Sequence, residues 1–214
     1  MAETRPALLK HLHWLGHDSF RIDRPTIIYL DPWNVPKNGP KADLILISHD
    51  HHDHCSPEDV EFLRTAQTRV VANASAATKL KEPVTVLRPG ETIDIGEVRI
   101  EGLPAYNTNK KFHPRESGHL GFILTLEGER LYFAGDTDAI PEMKGLGVDV
   151  ALLPVSGVYV MTAEEAAQAA LAIQPRVAVP MHYGAGVAGE PADAERFRRL
   201  SPVPVVILQA EGES

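Results

Sequence analysis

Short apolar runs and alternating apolar and polar positions recur along the chain, and this pattern predicts mainly β-strands. Runs of about four to eight such residues between Gly, Pro, Asn or Asp are typical of strands. Leu44–Ile47 is apolar at every position, which indicates a strand buried on both faces. The predicted strands are His11–Leu15, Ser19–Asp23, Thr26–Leu30, Leu44–Ile47, Arg69–Ala72, Val84–Leu87, Thr92–Ile95, Val98–Leu103, His119–Leu126, Arg130–Ala134, Val150–Leu153, Val177–Pro180 and Val205–Leu208.

Fewer helices than strands are predicted, and capping residues mark the start of two of them. Ser56 followed by Pro57 and two acidic residues is typical of a helix start. Thr162 and Glu165 have the spacing of a capping box. The predicted helices are Ser56–Thr65, Ala74–Lys81, Thr162–Ile173 and Asp193–Leu200.

The order of these elements predicts the fold class. Strands outnumber helices, and both halves of the chain begin with strands and end in strand–helix alternation. This order favours two mixed sheets packed together with helices outside, a four-layer α/β arrangement. No repeat and no linker rich in Gly, Ser or Pro divides the chain, so residues 1–214 are predicted to form a single domain.

The composition of the chain limits the classes of protein to which it can belong. With 214 residues, 43% apolar and 23% charged, the chain can bury a sizeable core without disulfides. Its formal net charge of -8 disfavours a protein that follows nucleic acid by bulk electrostatics, so a small-molecule substrate is expected. Neither a signal peptide nor an apolar run of about 20 residues is visible, so no membrane association is expected. The single cysteine, Cys55, cannot form an internal disulfide, which favours a cytoplasmic location.

The histidines are the main candidates for metal-binding residues. Four of the ten histidines lie between His49 and His54, directly after the apolar strand. His49, His51, Asp53 and His54 form a His-x-His-x-Asp-His motif. Imidazole and carboxylate suit zinc, manganese or iron, and a turn that leaves a strand lets alternate side chains converge. The motif therefore predicts a metal site.

Two more ligand-capable residues follow apolar strands. Asp136 comes after the strand that ends at Ala134, and His182 comes after the strand that ends at Pro180. Because open α/β sheets place ligands at the carboxyl ends of strands, three such ends can share one site. Taken alone, Asp136 could be a turn former and His182 an ordinary loop histidine.

In this order, the segments His49–His54, Gly135–Thr137 and Met181–Gly184 resemble the metal motifs of the metallo-β-lactamase superfamily. Trp14–His17 and Leu152–Val155 resemble its branch of small metal-dependent hydrolases, which includes ascorbate-lactonase-like proteins and N-acyl-phosphatidylethanolamine phospholipase D. The resemblance implies an αββα sandwich, the metallo-β-lactamase fold, with a dinuclear metal site on one edge. Small members of such families often self-associate, so a homo-oligomer is an open alternative.

One motif departs from the superfamily pattern. Where a histidine is usual after the middle strand, this chain has Asn107, a poor substitute for an imidazole. The next histidines are His113, in a loop, and His119, at the start of a predicted strand. We favour His113 because a loop residue can swing into a site at the sheet edge.

The resemblance implies a set of ligands and a reaction. Each of two divalent cations, expected to be Zn²⁺ with Mn²⁺, Fe²⁺ or Ni²⁺ as alternatives, would have three protein ligands and share a carboxylate. A bridging hydroxide would attack a carbonyl or phosphoryl centre. The implied ligands are His49, His51 and His113 for the first metal, Asp53, His54 and His182 for the second, and Asp136 for both.

Asp53 is also a candidate catalytic residue. His17 and Tyr183 are candidate proton donors to the leaving group, with a metal-bound water as the alternative and a structural turn role open for His17.

Three further features have weaker signals. Asp31, which precedes Pro32 at the end of the third predicted strand, is interpreted as a turn residue, with a place in the pocket lining as the alternative. Asp138 either supports the site or caps the segment that follows it, and we favour the cap. Lys110, Lys111 and Arg115 either recognise a phosphate or carboxylate on the substrate or form an ordinary charged surface.

Together these features predict a metal-dependent hydrolase of a phosphodiester, lactone or related ester. The alternatives are an RNA- or DNA-processing nuclease of the same fold and a non-catalytic metal-binding protein.

Overall fold

The computed structural model describes residues 5–211 of the chain. This part contains twelve strands and four α-helices, joined by loops and short 3-10 helices. The strands are β1 (Leu12–Gly16), β2 (Ser19–Ile22), β3 (Ile28–Leu30), β4 (Leu44–Ile47), β5 (Arg69–Ala72), β6 (Thr85–Val86), β7 (Thr92–Ile95), β8 (Val98–Pro104), β9 (Leu120–Leu126), β10 (Glu129–Phe133), β11 (Val150–Pro154) and β12 (Val177–Met181). The helices are α1 (Pro57–Leu63), α2 (Ala74–Ala77), α3 (Ala163–Ile173) and α4 (Pro191–Leu200).

The strands form two mixed six-stranded sheets, as predicted. The first has the order β1-β2-β3-β4-β5-β6, antiparallel from β1 to β3 and parallel from β3 to β6. The second has the order β12-β11-β10-β9-β8-β7, parallel from β12 to β10 and antiparallel from β10 to β7. Phe20 of the first sheet and Phe133 of the second meet edge to face, with ring centroids 6.4 Å apart. The sheets therefore pack face to face.

Helices cover both outer faces. Along β4, Leu44 and Leu46 enter the core between the sheets, whereas Ile45 and Ile47 enter a second core that includes Val60 of α1. This alternation is the two-residue period of a strand buried on both faces. Helices α3 and α4 pack on β11 and β12, which completes the four-layer αββα sandwich.

No helix within residues 5–211 has the length and apolar character needed to cross a membrane.

The prediction of a last strand at Val205–Leu208 is wrong. This segment makes only an isolated bridge to β12, between Ala178 and Val205. The Ala178 N–H donates to Pro204 O at 2.9 Å and the Val206 N–H donates to Ala178 O at 3.0 Å. Two residues further along β12, Pro180 has no N–H to continue the ladder, so pairing stops after one step.

The topology gathers several strand ends at one edge of the sandwich. Asp31 follows β3, His49 follows β4 by one residue, Asp136 follows β10, and His182 follows β12. Within each sheet these strands run parallel, so their carboxyl ends lie at one edge of that sheet. The two edges adjoin, since Nε2 of His54, after β4, is 3.3 Å from Oδ1 of Asp136, after β10. The predicted metal motifs therefore meet, although they are far apart in sequence.

Candidate metal centre

A first donor cluster brings three imidazoles and one carboxylate together, from His49, His51, His113 and Asp136. Nδ1 of His51 lies 3.1 Å from Nε2 of His49 and 3.1 Å from Nε2 of His113. Oδ2 of Asp136 is 3.2 Å from Nε2 of His113. Three nitrogens and one oxygen converging in this way suit a divalent cation such as zinc.

A second, fully buried cluster adjoins the first and consists of His17, Asp18, His54 and His182. Nε2 of His54 is 3.5 Å from Oδ2 of Asp18. Asp18 belongs to none of the metal motifs predicted from the sequence. The available signal was its position directly after His17, in the turn that joins β1 to β2.

Asp136 lies between the two clusters. Its Oδ1 is 3.3 Å from Nε2 of His54, and its Oδ2 faces both Nε2 of His113 and, at 3.5 Å, Nε2 of His182. One carboxylate thus reaches donors of both clusters, which is the geometry of a bridging ligand.

The outer nitrogens of the imidazoles are held by neighbouring oxygens. Nδ1 of His49 lies 2.9 Å from Ser48 Oγ, that of His54 2.8 Å from Asp31 Oδ2, and that of His182 2.8 Å from Ser156 Oγ. Such contacts fix the orientation of a metal-binding imidazole and aim its other nitrogen into the site. Asp31, interpreted from the sequence as a turn residue, therefore has a positioning role.

The loop that carries His113 is anchored by Asn107. The Asn107 N–H donates to His113 O at 2.9 Å, and its side-chain amide donates to Tyr159 O at 2.7 Å. The same carbonyl lies 3.2 Å from Nδ1 of His113. Because a carbonyl only accepts hydrogen bonds, this contact places the proton on Nδ1 and leaves the Nε2 lone pair facing Asp136.

His119 stays outside both donor clusters. Its ring stacks on that of His49, with centroids 4.6 Å apart and an interplanar angle of 26°. Burial, together with the charges of His113 and His51, lowers the pKa of His119 to about 4. His119 is therefore a neutral ring that supports His49.

Burial and mutual charge set the ionisation of the cluster. Burial alone would raise the pKa of Asp136, but the charges of His54 and His182 outweigh it and hold that pKa well below its usual range. Burial lowers the pKa of His182, and the charges of Asp136 and Asp18 overcome this and raise it to about 9. Burial and the charge of His54 hold the pKa of His49 well below its usual value.

Buried atoms without partners test whether metal ions fit here. Among residues 5–211, no hydrogen-bond partner exists for Nε2 of His54, Nε2 of His182, Oδ1 of Asp136 or either carboxylate oxygen of Asp18. Buried polar atoms are normally paired, because leaving one unpaired costs about 1–3 kcal/mol. These atoms are all metal-ligand types and point into one region, so the residues fit divalent cations.

Backbone strain is concentrated at the site. His17, Asp31, His113 and His182 all have positive φ, between 40° and 61°. Such angles are uncommon for residues other than glycine and are maintained where function demands them. Gly135, next to Asp136, also has a positive φ of 62°.

Gly135→Ala is expected to destabilise the protein more than the matched change Gly128→Ala. Both glycines have positive φ, so each change costs about 1 kcal/mol in conformational terms. At Gly135 the added Cβ would lie 2.6 Å from Leu120 O, whereas at Gly128 it meets no described atom within 4 Å. The clash adds about 1–3 kcal/mol, measurable by urea unfolding. Equal losses for the two variants would contradict this packing.

The candidate catalytic residues lie at different places. Oδ2 of Asp53 is 3.1 Å from Nε2 of His17 and 3.9 Å from Nε2 of His54, so Asp53 flanks the second cluster. Tyr183 instead packs on Trp14, with ring centroids 4.7 Å apart, and lines a cavity that does not include the donor histidines.

The favoured interpretation of Asp138 as a cap is wrong, and its alternative, a role in supporting the site, agrees with its contacts. Asp138 does not cap the segment after it; its carboxylate accepts from the backbone N–H of Thr108 at 2.7 Å and of Asn109 at 3.2 Å. Lys110 is paired with Asp138 at 2.5 Å, and Arg115 with Glu142 at 2.8 Å, which favours an ordinary charged surface over recognition of a substrate anion. These pairs instead anchor the loop that carries His113.

A cavity of about 310 Å³ opens over the first cluster. His51 and His113 line its floor, and Phe112 and Tyr159, whose rings meet edge to face at 4.8 Å, line one wall. Lys79 lies on the cavity too, paired with Asp50 at 2.9 Å. The cavity is therefore a small, partly aromatic pocket beside the metal-ligand side chains.

Comparison with known proteins places this geometry among metal-dependent hydrolases. Residues 11–182 match the Beta-lactamase superfamily domain. The UPF0173 metal-dependent hydrolase of Thermoplasma acidophilum is 34% identical over 204 residues, which cover 88% of this chain and 89% of that protein.

Solved structures agree in fold. One from Parabacteroides distasonis is 36% identical, covers 92% of this chain and 93% of its own, and superposes with a TM-score of 0.83. Igni18, a metallo hydrolase from Ignicoccus hospitalis, is 25% identical, with coverage of 93% and 94% and a TM-score of 0.77.

Proposed function

From the membership of this chain in the β-lactamase superfamily, as a metal-dependent hydrolase, we propose a function. The protein uses a dinuclear metal centre to cleave a small ester, lactone or phosphodiester. The observation that carries the proposal is the position of Asp136, whose two oxygens reach imidazoles of two adjoining clusters. A mononuclear site would not need a buried carboxylate shared in this way.

We infer the ligands from the two clusters. His49, His51 and His113 would hold the first cation, His54 and His182 would hold the second with Asp53 beside them, and Asp136 would serve both. Nitrogen and oxygen donors suit Zn²⁺, with Mn²⁺, Fe²⁺ and Ni²⁺ as alternatives. When bound, such a pair of cations lowers the pKa of a shared water to supply a hydroxide nucleophile and stabilises the developing oxyanion.

The residues of the chain then orient the reacting groups. Ser48, Asp31 and Ser156 hold the imidazoles in place, so little reorganisation accompanies the reaction. His17, with Nε2 in the second cluster and 3.1 Å from Asp53, is favoured over Tyr183 as the proton donor to the leaving group. Tyr183 is disfavoured because it lines a different cavity.

The pocket favours a small substrate. A volume of about 310 Å³ is at the lower end of small-molecule sites, which span about 300–1,000 Å³. Phe112 and Tyr159 offer an aromatic surface to an apolar group of the substrate. Lys79 is neutralised by Asp50, and the chain carries a net charge of -8, so a polynucleotide is disfavoured.

A substrate panel tests the proposal. The purified protein would be stripped with a chelator, reloaded with Zn²⁺ or Mn²⁺, and assayed with aryl esters, lactones, bis(p-nitrophenyl) phosphate and single-stranded DNA and RNA. We expect turnover of at least one small substrate, lost on chelation and restored by metal. Cleavage of nucleic acid alone would favour the nuclease function instead. Protein that holds two metals and turns over none of these compounds would contradict the proposal.

A further inference from the structure

Asp18 is a buried carboxylate that the metal motifs do not include. Its side chain is fully buried, and neither oxygen has a hydrogen-bond partner within residues 5–211. Its Oδ2 lies 3.5 Å from Nε2 of His54, 3.6 Å from Nε2 of His17 and 3.9 Å from Nε2 of His182. Three imidazole nitrogens thus surround one oxygen at distances too long for good hydrogen bonds.

The backbone holds Asp18 in this position. Gly16 and His17, with φ of 105° and 51°, form the tight turn between β1 and β2. The carbonyl of His17 accepts from Trp14 Nε1 at 2.9 Å and from the backbone N–H of His182 at 3.1 Å. The turn is therefore tied directly to the residue that supplies one of the imidazoles. These contacts fix the backbone from which the Asp18 side chain extends into the second cluster.

We propose that Asp18 is a ligand of the second cation, a role that rests on the dinuclear centre proposed above. Buried charges are normally paired or coordinate metals. A cation among Asp18, His54 and His182 would satisfy the carboxylate and the two unpartnered Nε2 atoms together.

The assignment makes the two metal positions chemically different. The first position has three imidazoles and the shared carboxylate of Asp136. The second has two imidazoles, Asp136 and Asp18, with Asp53 beside them. Because carboxylate oxygens suit Mn²⁺ better than imidazoles do, the second position is expected to accept Mn²⁺ more readily than the first.

Metal binding by an Asp18→Asn variant tests this inference. Asn keeps the size of the side chain and removes the anionic donor. The matched control is Asp59→Asn, which alters another buried carboxylate, on α1, that pairs with Lys37 outside the clusters. Both full-length variants and the wild-type protein would be titrated with Mn²⁺ and followed by elemental analysis and electron paramagnetic resonance.

We expect the wild-type protein and Asp59→Asn to hold two Mn²⁺ ions with a spin-coupled signal. Asp18→Asn should bind one of them at least about 100-fold more weakly and show the six-line signal of a single Mn²⁺. If Asp18→Asn does not fold, Asp18→Ser would be used in its place. Wild-type affinity for both ions in the variant would overturn the role of Asp18 and leave the dinuclear centre intact. A wild-type protein that binds fewer than two ions would instead contradict the proposed function.

Discussion

Asp136→Asn is expected to lower kcat/KM by about 1,000-fold or more, because one side chain serves both metal positions. A metal centre contributes several kcal/mol of transition-state stabilisation, and about 4 kcal/mol corresponds to this factor. The amide keeps the shape of Asp136 but loses the negative charge that faces His54, His113 and His182. Both metal positions should therefore lose affinity together.

The measurement pairs steady-state kinetics on the substrate found in the panel with metal content after dialysis. Asp59→Asn is again the matched control and should keep both metals and wild-type kinetics. Loss of one metal only, with the other bound as in the wild-type protein, would show that Asp136 does not bridge.

His113→Ala is expected to lower the metal content, and His119→Ala is expected to leave it unchanged. Removing His113 should release the first cation, because its Nε2 lies 3.1 Å from His51 Nδ1 and 3.2 Å from Asp136 Oδ2. Removing His119 should leave both cations bound, since this ring lies outside both donor clusters and packs on the rings of His49, His51 and His113.

Elemental analysis of the two purified variants separates the two histidines. We expect about one metal equivalent fewer in His113→Ala and a loss of activity of at least about 100-fold. His119→Ala should lose stability rather than metal, because a buried ring is removed. Full metal content in His113→Ala would contradict the assignment of His113 as a ligand. A metal deficit in His119→Ala would indicate that His119, next to β9, is a ligand instead.

Much of the fold could be predicted from the sequence because its signals are local. The apolar run Leu44–Ile47 matches β4 residue for residue, and the capping box at Thr162 opens α3 as predicted. Side-chain alternation and helix caps depend on neighbours a few residues away, so a single chain carries them. The predicted strand Val205–Leu208 was wrong because its pairing depended on Pro180, a residue of another strand.

The metal motifs were visible for the same reason. His49, His51, Asp53 and His54 follow one another closely, and Asp136 and His182 each stand just beyond an apolar strand. Their joint position could be anticipated because the carboxyl ends of parallel strands share one edge.

Tertiary structure alone decided which other side chains reach that edge. Asn107 holds the loop that brings His113 to the first cluster, and Asp138 secures the same loop from a different strand end. Asp18 enters the second cluster because the turn between β1 and β2 is tied to the backbone of His182. These placements depend on contacts between residues far apart in sequence. The sequence alone therefore determines the strands, helix starts and close-spaced metal motif, whereas the packing of distant loops decides which carboxylates and imidazoles complete the site.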